Sequence, residues 1–283
     1  MPQAPRPSTD GTLPTAAMPP QRRLVATLAI GFGAGLLNAV VGIGGGILIV
    51  PGLVMVRKLP PRVAVATSLG SVLILSAIAL AVHLATAPFA LSAWGAGLLL
   101  IAGAVGSQIG TFLLNRIATR WVLFAFAGIT LVSATHLLAI GLDLLPPLLR
   151  GGGDPPLWAY SGFGLMGGFF SGLLGVGGGG LVILGLSVVF HMPVFAALPI
   201  AQAVNTFNSL SGVAAQWKHK RVLWGEVFAL VPAGLVGVGV GQTLALFLPA
   251  DVLRVVFALF FVYMGSSLIR KGVQMGGGRP MRG

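Results

Sequence analysis

Residues 38–54 read NAVVGIGGGILIVPGLV, and residues 171–183 read SGLLGVGGGGLVI. In each, a cluster of glycines cuts an apolar run that a helix would otherwise carry straight through. The clusters are Gly42 with Gly44–Gly46, and Gly175 with Gly177–Gly180. Glycine costs a helix interior about 1 kcal/mol per residue, so the backbone unwinds there. The surroundings make that unwinding matter. Of the 283 residues, 56% are hydrophobic and 8% charged, against about 25% charged in ordinary soluble domains. Apolar runs of about 20 residues, each enough to cross about 30 Å of hydrocarbon, follow one another from Leu24 to Ile269. The chain reads as an all-α polytopic membrane protein. Unwound backbone at membrane depth is tolerated only against protein or a water-filled cavity, so the glycine clusters belong inside the bundle.

The two stretches are one pair in a longer internal repeat. Ala64–Thr67 (AVAT) returns as Ala203–Thr206 (AVNT), and Trp94-Gly95 as Trp224-Gly225. Ala102–Gly110 (AGAVGSQIG) returns as Ala233–Gly241 (AGLVGVGVG), and Phe126-Ala127 as Phe257-Ala258. The order is kept and the offset stays between 130 and 139, which marks a duplication. Accordingly, residues 24–144 form repeat 1 and 157–271 repeat 2. A proline- and glycine-rich linker occupies 145–156, and loose tails take up 1–23 and 272–283.

Basic clusters orient the chain under the positive-inside rule. With Arg22-Arg23 cytoplasmic, the 33 residues of Leu24–Val56 must bend at the glycines and return, because Arg57, Lys58 and Arg62 follow. Three further crossings end repeat 1 on the outer side, near Asp143 and Asp154. Repeat 2 then runs the same course upside down. It delivers Lys218, Lys220 and Arg221, and finally Arg270-Lys271, to the cytoplasm, with Arg150 and Arg254 as exceptions. Each repeat is a glycine-broken hairpin plus three transmembrane helices. The pair forms an inverted-topology repeat, an arrangement common among secondary transporters. Both termini fall in the cytoplasm, and the protein belongs in the cell's inner (plasma) membrane.

The net charge of +12 sits in loop clusters, not along one face, so the lipid bilayer and not nucleic acid is the macroscopic partner. Without cysteine, thiolate sites are excluded. Nothing calls for a metal or cofactor, and no nucleophile–base–acid set marks an enzyme. Glycine-rich faces permit a homodimer without requiring one. For Gly31, Gly35, Gly164 and Gly168, the four-residue spacing points to close helix packing.

At the breaks, N–H groups opening the next half-helix form a nest for an anion. Polar residues within the spans are Asn38, Thr67, Ser68, Ser71 and Gln108 in repeat 1. Repeat 2 has Ser171, Gln202, Asn205, Thr206, Asn208 and Ser209. Such groups are costly in hydrocarbon and face the interior. By this topology none of the acids Asp10, Asp143, Asp154, Glu226 and Asp251 lies deep in a span, and a cation pathway usually needs a buried carboxylate. The pattern therefore points to a small anionic substrate. The candidate binding set is Asn38, Gly44, Gly45, Gly46, Thr67, Ser68, Gly177, Gly178, Gly179, Gln202, Asn205 and Thr206.

Residues 38–54 followed by PPRVAVATSLGS (residues 60–71), with their second copies at 171–183 and 203–209, resemble the TauE/SafE sulfite exporter family. The resemblance spans roughly Leu24 to Ile269. It implies a transporter for sulfite, sulfoacetate or related organosulfonates. Residue by residue it singles out Gly44, Gly45, Gly46, Pro51, Thr67 and Ser68, then Gly177, Gly178, Gly179 and Thr206. The copies differ where Leu184 stands in the place of Pro51, and where Asn205-Thr206-Phe207 replaces Ala66-Thr67-Ser68. The expected function is export of such an anion through a midplane site between the two broken helices. The rival readings are an anion channel, an organic-acid importer and a non-transporting membrane scaffold.

The topology is open to test because the chain has no cysteine background. Single cysteines at Lys58, Ala118, His219 and Gly272 should label only from the cytoplasmic side. Those at Pro88, Gly152, Met192 and Ala250 should label only from outside. Labelling of positions 58 and 192 from one side would disprove the inversion.

Overall fold

The computed structural model describes residues 20–86, 93–141, 156–186 and 194–247, and part of 255–274. The linker apart from Pro156, the outer turns near residues 87–88 and 191–193, and residues 1–19 lie outside the described residues. Repeat 1 supplies α1 (Pro20–Val41), α2 (Gly46–Met55), α3 (Pro61–Thr86), α4 (Ala93–Arg116) and α5 (Thr119–Gly141). Repeat 2 supplies α6 (Leu157–Leu174), α7 (Gly179–Leu184), α8 (Val194–Trp217) and α9 (Trp224–Phe247). Helix α1 opens at Pro20, within the segment that the sequence reads as tail. Proline suits a first helical turn, where its missing N–H has no partner to lose.

Among the described residues, four helices are long and apolar enough to cross a membrane, over Arg23–Val40, Pro61–Leu84, Trp94–Arg116 and Trp224–Leu244. The span in α3 is 67% buried, against 44% in α1 and 39% in both α4 and α9, so α3 is central. Its principal partner is α8, whose Gln202, Asn205, Asn208, Ser209 and Gln216 are all fully buried. That polar load makes α8 an interior helix. The outer helices instead present Leu24, Val25, Ile101, Phe112 and Val236 outward, as a lipid-facing surface requires. The five tryptophans sit at or near helix ends: Trp94, Trp121, Trp158, Trp217 and Trp224. Amphipathic indoles gather at that depth, where apolar tails meet headgroups.

Two helix pairs frame this centre, α1 against α9 and α4 against α6. Both are stitched by glycine. A Cβ on Gly31 or Gly35 would overlap the carbonyl oxygen of Leu230 or Gly234, and one on Gly237 would overlap that of Phe32. In the other pair, Gly164, Gly168 and Gly172 press on the carbonyls of Leu99, Gly103 and Ser107, while Gly106 and Gly110 press on those of Leu165 and Phe169. Without a hydrophobic drive between helices in lipid, close backbone approach supplies the association energy. Contacts advance in the same direction on both partners, so the helices of each pair run parallel.

One end of the bundle gathers the charges. Arg57 pairs with Glu226, Arg62 donates to the carbonyl oxygen of Ile117 at 2.8 Å, and Arg221 donates to Asn115 Oδ1. Hence α3 begins, α4 ends, α8 ends and α9 begins at that same end. Burial, and then the nearby Arg62 charge, hold the Arg221 guanidinium below its ordinary pKa.

The glycine seams predict a sharp contrast between substitutions. Gly168→Leu should lower the melting temperature in detergent by well over 5 °C, because the backbone of α4 must retreat. Gly97→Ala, where an added Cβ meets nothing within 4 Å, should be neutral or stabilise by up to about 1 kcal/mol. Differential scanning fluorimetry of the two variants checks both.

Candidate functional site

The two breaks share one backbone path. Gly42, Gly44 and Gly45 have φ of 70°, 87° and 70°, and their counterparts Gly175, Gly177 and Gly178 have 73°, 97° and 90°. L-residues with side chains rarely adopt positive φ, so the glycines are needed for the turn itself as well as for the loss of helix. Gly45 and Gly178 are the left-handed N-caps that open α2 and α7.

The breaks also meet each other. A Cβ on Gly44 would lie 2.5 Å from the carbonyl oxygen of Val176, and one on Gly46 would overlap that of Gly175. Gly180 lies against Ile43, and Gly42 against Ile183. The chains thus cross with backbone on backbone, and every residue from 171 to 180 is buried, as are Gly42 and Gly44–Gly46.

Side-chain amides hold the crossing. Asn38 Oδ1 accepts from the Gly44 N–H at 3.0 Å. Gln202 Nε2 donates to both the carbonyl oxygen and Oδ1 of Asn38, each at 3.2 Å. Asn205 spans the two breaks: its Oδ1 accepts from the Gly179 N–H at 2.6 Å, and its Nδ2 donates to the Gly42 carbonyl at 3.1 Å. Asn208 Nδ2 donates to the Gly177 carbonyl at 3.2 Å. Ser68 Oγ donates to the Gly175 carbonyl at 2.7 Å.

Of the candidate set, Asn38, Gly44, Gly45, Gly46, Ser68, Gly177, Gly178, Gly179, Gln202 and Asn205 come together here. The two threonines do not join them. Thr67 Oγ1 accepts from the Leu223 N–H at 3.2 Å, anchoring the α8–α9 connection. Thr206 Oγ1 donates to the Gln202 carbonyl on its own helix at 2.7 Å. Asn208 and Ser171 are the additions. Gln202, Asn205 and Asn208 recur every three residues along one helix face, and that spacing was available in the sequence.

Several buried atoms at the crossing have no hydrogen-bond partner: Asn38 Nδ2, Ser171 Oγ, Gln202 Oε1 and Asn208 Oδ1. Leaving a buried polar group unsatisfied costs about 1–3 kcal/mol. Such a group kept in the interior marks a strain reservoir or a place for an ordered water, an ion or a ligand.

Asn205 is the residue on which the crossing most depends. Asn205→Leu should strand the Gly179 N–H and the Gly42 carbonyl, costing about 2–6 kcal/mol for the two together. Asn205→Asp keeps an acceptor for Gly179 but sets an oxygen against the Gly42 carbonyl, so it should also destabilise. Thr206→Val should change thermal stability by less than about 0.5 kcal/mol, the ordinary range away from such features. Melting curves of the three variants rank them.

Similarity to known proteins extends along nearly the whole chain. The family described as Sulfite exporter TauE/SafE matches over residues 6–137 and 160–282, a span that includes both breaks and α8. The probable membrane transporter protein YunE of Bacillus subtilis (strain 168) is 24% identical over 272 residues, covering 88% of this chain and 98% of that protein. The probable membrane transporter protein YdhB of the same organism is 35% identical over 89 residues, covering 31% of this chain and 36% of that protein. No solved structure matches. With nearly the whole chain matched and apolar helices of spanning length, the protein belongs to the sulfite exporter TauE/SafE family and is a multi-pass membrane transporter, not an enzyme.

Proposed function

We propose that the protein exports a small sulfur-containing anion, such as sulfite, sulfoacetate or a related organosulfonate, from the cytoplasm through the crossing of its two glycine breaks. The observation that carries the reading is the set of fully buried polar side chains around those breaks, several with unsatisfied hydrogen-bonding groups. The family match supports the sulfur oxyanion. The amides of Gly46 and Ile47 open α2 and have no acceptor within the helix, which adds donors beside Asn38.

Inverted-topology repeats in the inner membrane, with both termini cytoplasmic, fit the helix directions. The equivalent helices α4 and α9 run oppositely, since α4 ends where α9 begins. The same holds for α3 and α8. Such a fold places its binding site where the repeats meet, near the midplane, and here the breaks meet. The charged cluster of Arg57, Arg62, Arg221 and Glu226 then marks the cytoplasmic end.

Energetics favour export. The cell interior is electrically negative, and one charge crossing 100 mV is worth about 2.3 kcal/mol. An anion leaving the cell gains that amount per charge and needs no accompanying cation. Among the described residues Glu226 is the one acid, and it is engaged at the bundle end with Arg57, so no described carboxylate lies at the crossing to bind a coupling cation.

Proteoliposomes loaded with sulfite, under an imposed potassium-diffusion potential, test the mechanism. Efflux should accelerate when the compartment it leaves is made negative, and it should proceed without sodium or a pH gradient. Flux that ignores the potential and follows a pH gradient would overturn the uncoupled mechanism. Absence of any sulfite or organosulfonate flux would overturn the substrate.

A further inference from the structure

The unpaired groups at the crossing are of two chemical kinds. Asn38 Nδ2 can only donate, and Ser171 Oγ carries a proton to donate. Gln202 Oε1 and Asn208 Oδ1 can only accept. All four belong to side chains fully buried in the protein. They divide between the two breaks, one of each kind on either side. Asn38 and Gln202, hydrogen-bonded to each other, stand at the first break. Asn208, bonded to Gly177, and Ser171, whose carbonyl accepts from the Gly175 N–H, stand at the second.

The orientation of each amide is set by its backbone partner. Turning Asn38 over would point an NH2 at the Gly44 N–H, and turning Asn208 over would set its oxygen against the Gly177 carbonyl. Turning Gln202 over would set its oxygen against two oxygens of Asn38. The free acceptors are therefore fixed in place, one on each side. The charged side chains named above cluster at the end of the bundle, so among the described residues the polar side chains at the crossing are neutral dipoles.

We infer that the crossing selects ligands whose oxyanion group is accompanied by a hydrogen-bond donor over ligands that can only accept. A fully deprotonated oxyanion would satisfy Asn38 and Ser171 but would face the Gln202 and Asn208 oxygens with nothing to offer them. A hydrogen oxyanion, or a sulfonate bearing a hydroxyl or ammonium group one or two carbons away, pairs with both kinds. Of the two forms of sulfite, hydrogen sulfite is the one bound. The inference rests on the crossing being the substrate site, and it adds a selectivity that the sulfur chemistry does not contain.

The test is calorimetric titration of the purified full-length protein at constant ionic strength. The panel is ethanesulfonate, 2-hydroxyethanesulfonate, 2-aminoethanesulfonate and sulfoacetate. The first three share one sulfonate and differ in the terminal group. Sites built to hydrogen-bond a substrate hydroxyl discriminate strongly against analogues lacking it, so the hydroxy and amino compounds should bind at least about tenfold tighter than ethanesulfonate and sulfoacetate. Sulfite affinity should fall as pH rises through its last ionisation. Gln202→Met removes one acceptor and should shrink the preference severalfold. Ser171→Ala removes a donor and should weaken all four ligands while leaving their ranking intact.

Equal binding of all four by the wild-type protein would overturn the selectivity while sparing the site, and this comparison needs no variant to fold. A preference untouched in Gln202→Met and in Asn208→Leu alike would place the discrimination elsewhere. Failure of all four, and of sulfite, to bind would overturn the reading of the crossing as a sulfur-anion site.

Discussion

Everything at the centre of this protein depends on two peptide backbones passing each other at glycine-to-carbonyl distance inside a membrane bundle. Backbone groups released from helix hydrogen bonding have no water there and must find partners within the protein. Asn38, Gln202, Asn205 and Asn208 meet that demand one group at a time, and Asn205 does so for both breaks at once. The polarity of α8, which keeps it in the interior, follows from this duty. The apolar skin of α1, α4 and α9 follows from the lipid outside.

The division of labour between the copies is unequal. The second copy places Gln202, Asn205 and Asn208 on α8, while the aligned positions of α3 are Val63, Ala66 and Leu69. In return, the first copy supplies Asn38 where the second has Ser171. Two breaks with closely matching φ angles are thus capped by unlike side chains.

Much of this was legible in the sequence because the constraints are local. Positive φ demands glycine, so the breaks announce themselves as GIGGG and GVGGG. Spans read from hydropathy, and the four-residue spacing of Gly31 with Gly35 and of Gly164 with Gly168 reads as packing. What could not be read was which polar side chain reaches where. Thr67 and Thr206 sit in matching positions of the repeat, which favoured them as a pair. Yet a threonine in a helix can return its hydroxyl to the preceding turn, as Thr206 does, or cap a distant loop, as Thr67 does. Asn208, like Gln202 and Asn205, has no polar counterpart in the first copy, and sequence alone does not say that its amide reaches the Gly177 carbonyl. Contacts such as Asn205 with Gly42, 163 residues apart, depend on the whole topology.

The pairing of α1 with α9 and of α4 with α6 exchanges partners between the copies. Neither copy is a self-contained unit. During insertion, α1 enters the bilayer with a bare glycine seam and the polar Asn38, and its mate α9 lies 199 residues downstream at the Gly31–Leu230 contact. The first break likewise has no Asn205 until α8 has been made. Helices inserted early must therefore wait as separate spans, and the crossing closes only when both copies are present. The two halves of the chain form a single unit, in which each supplies partners that the backbone of the other requires.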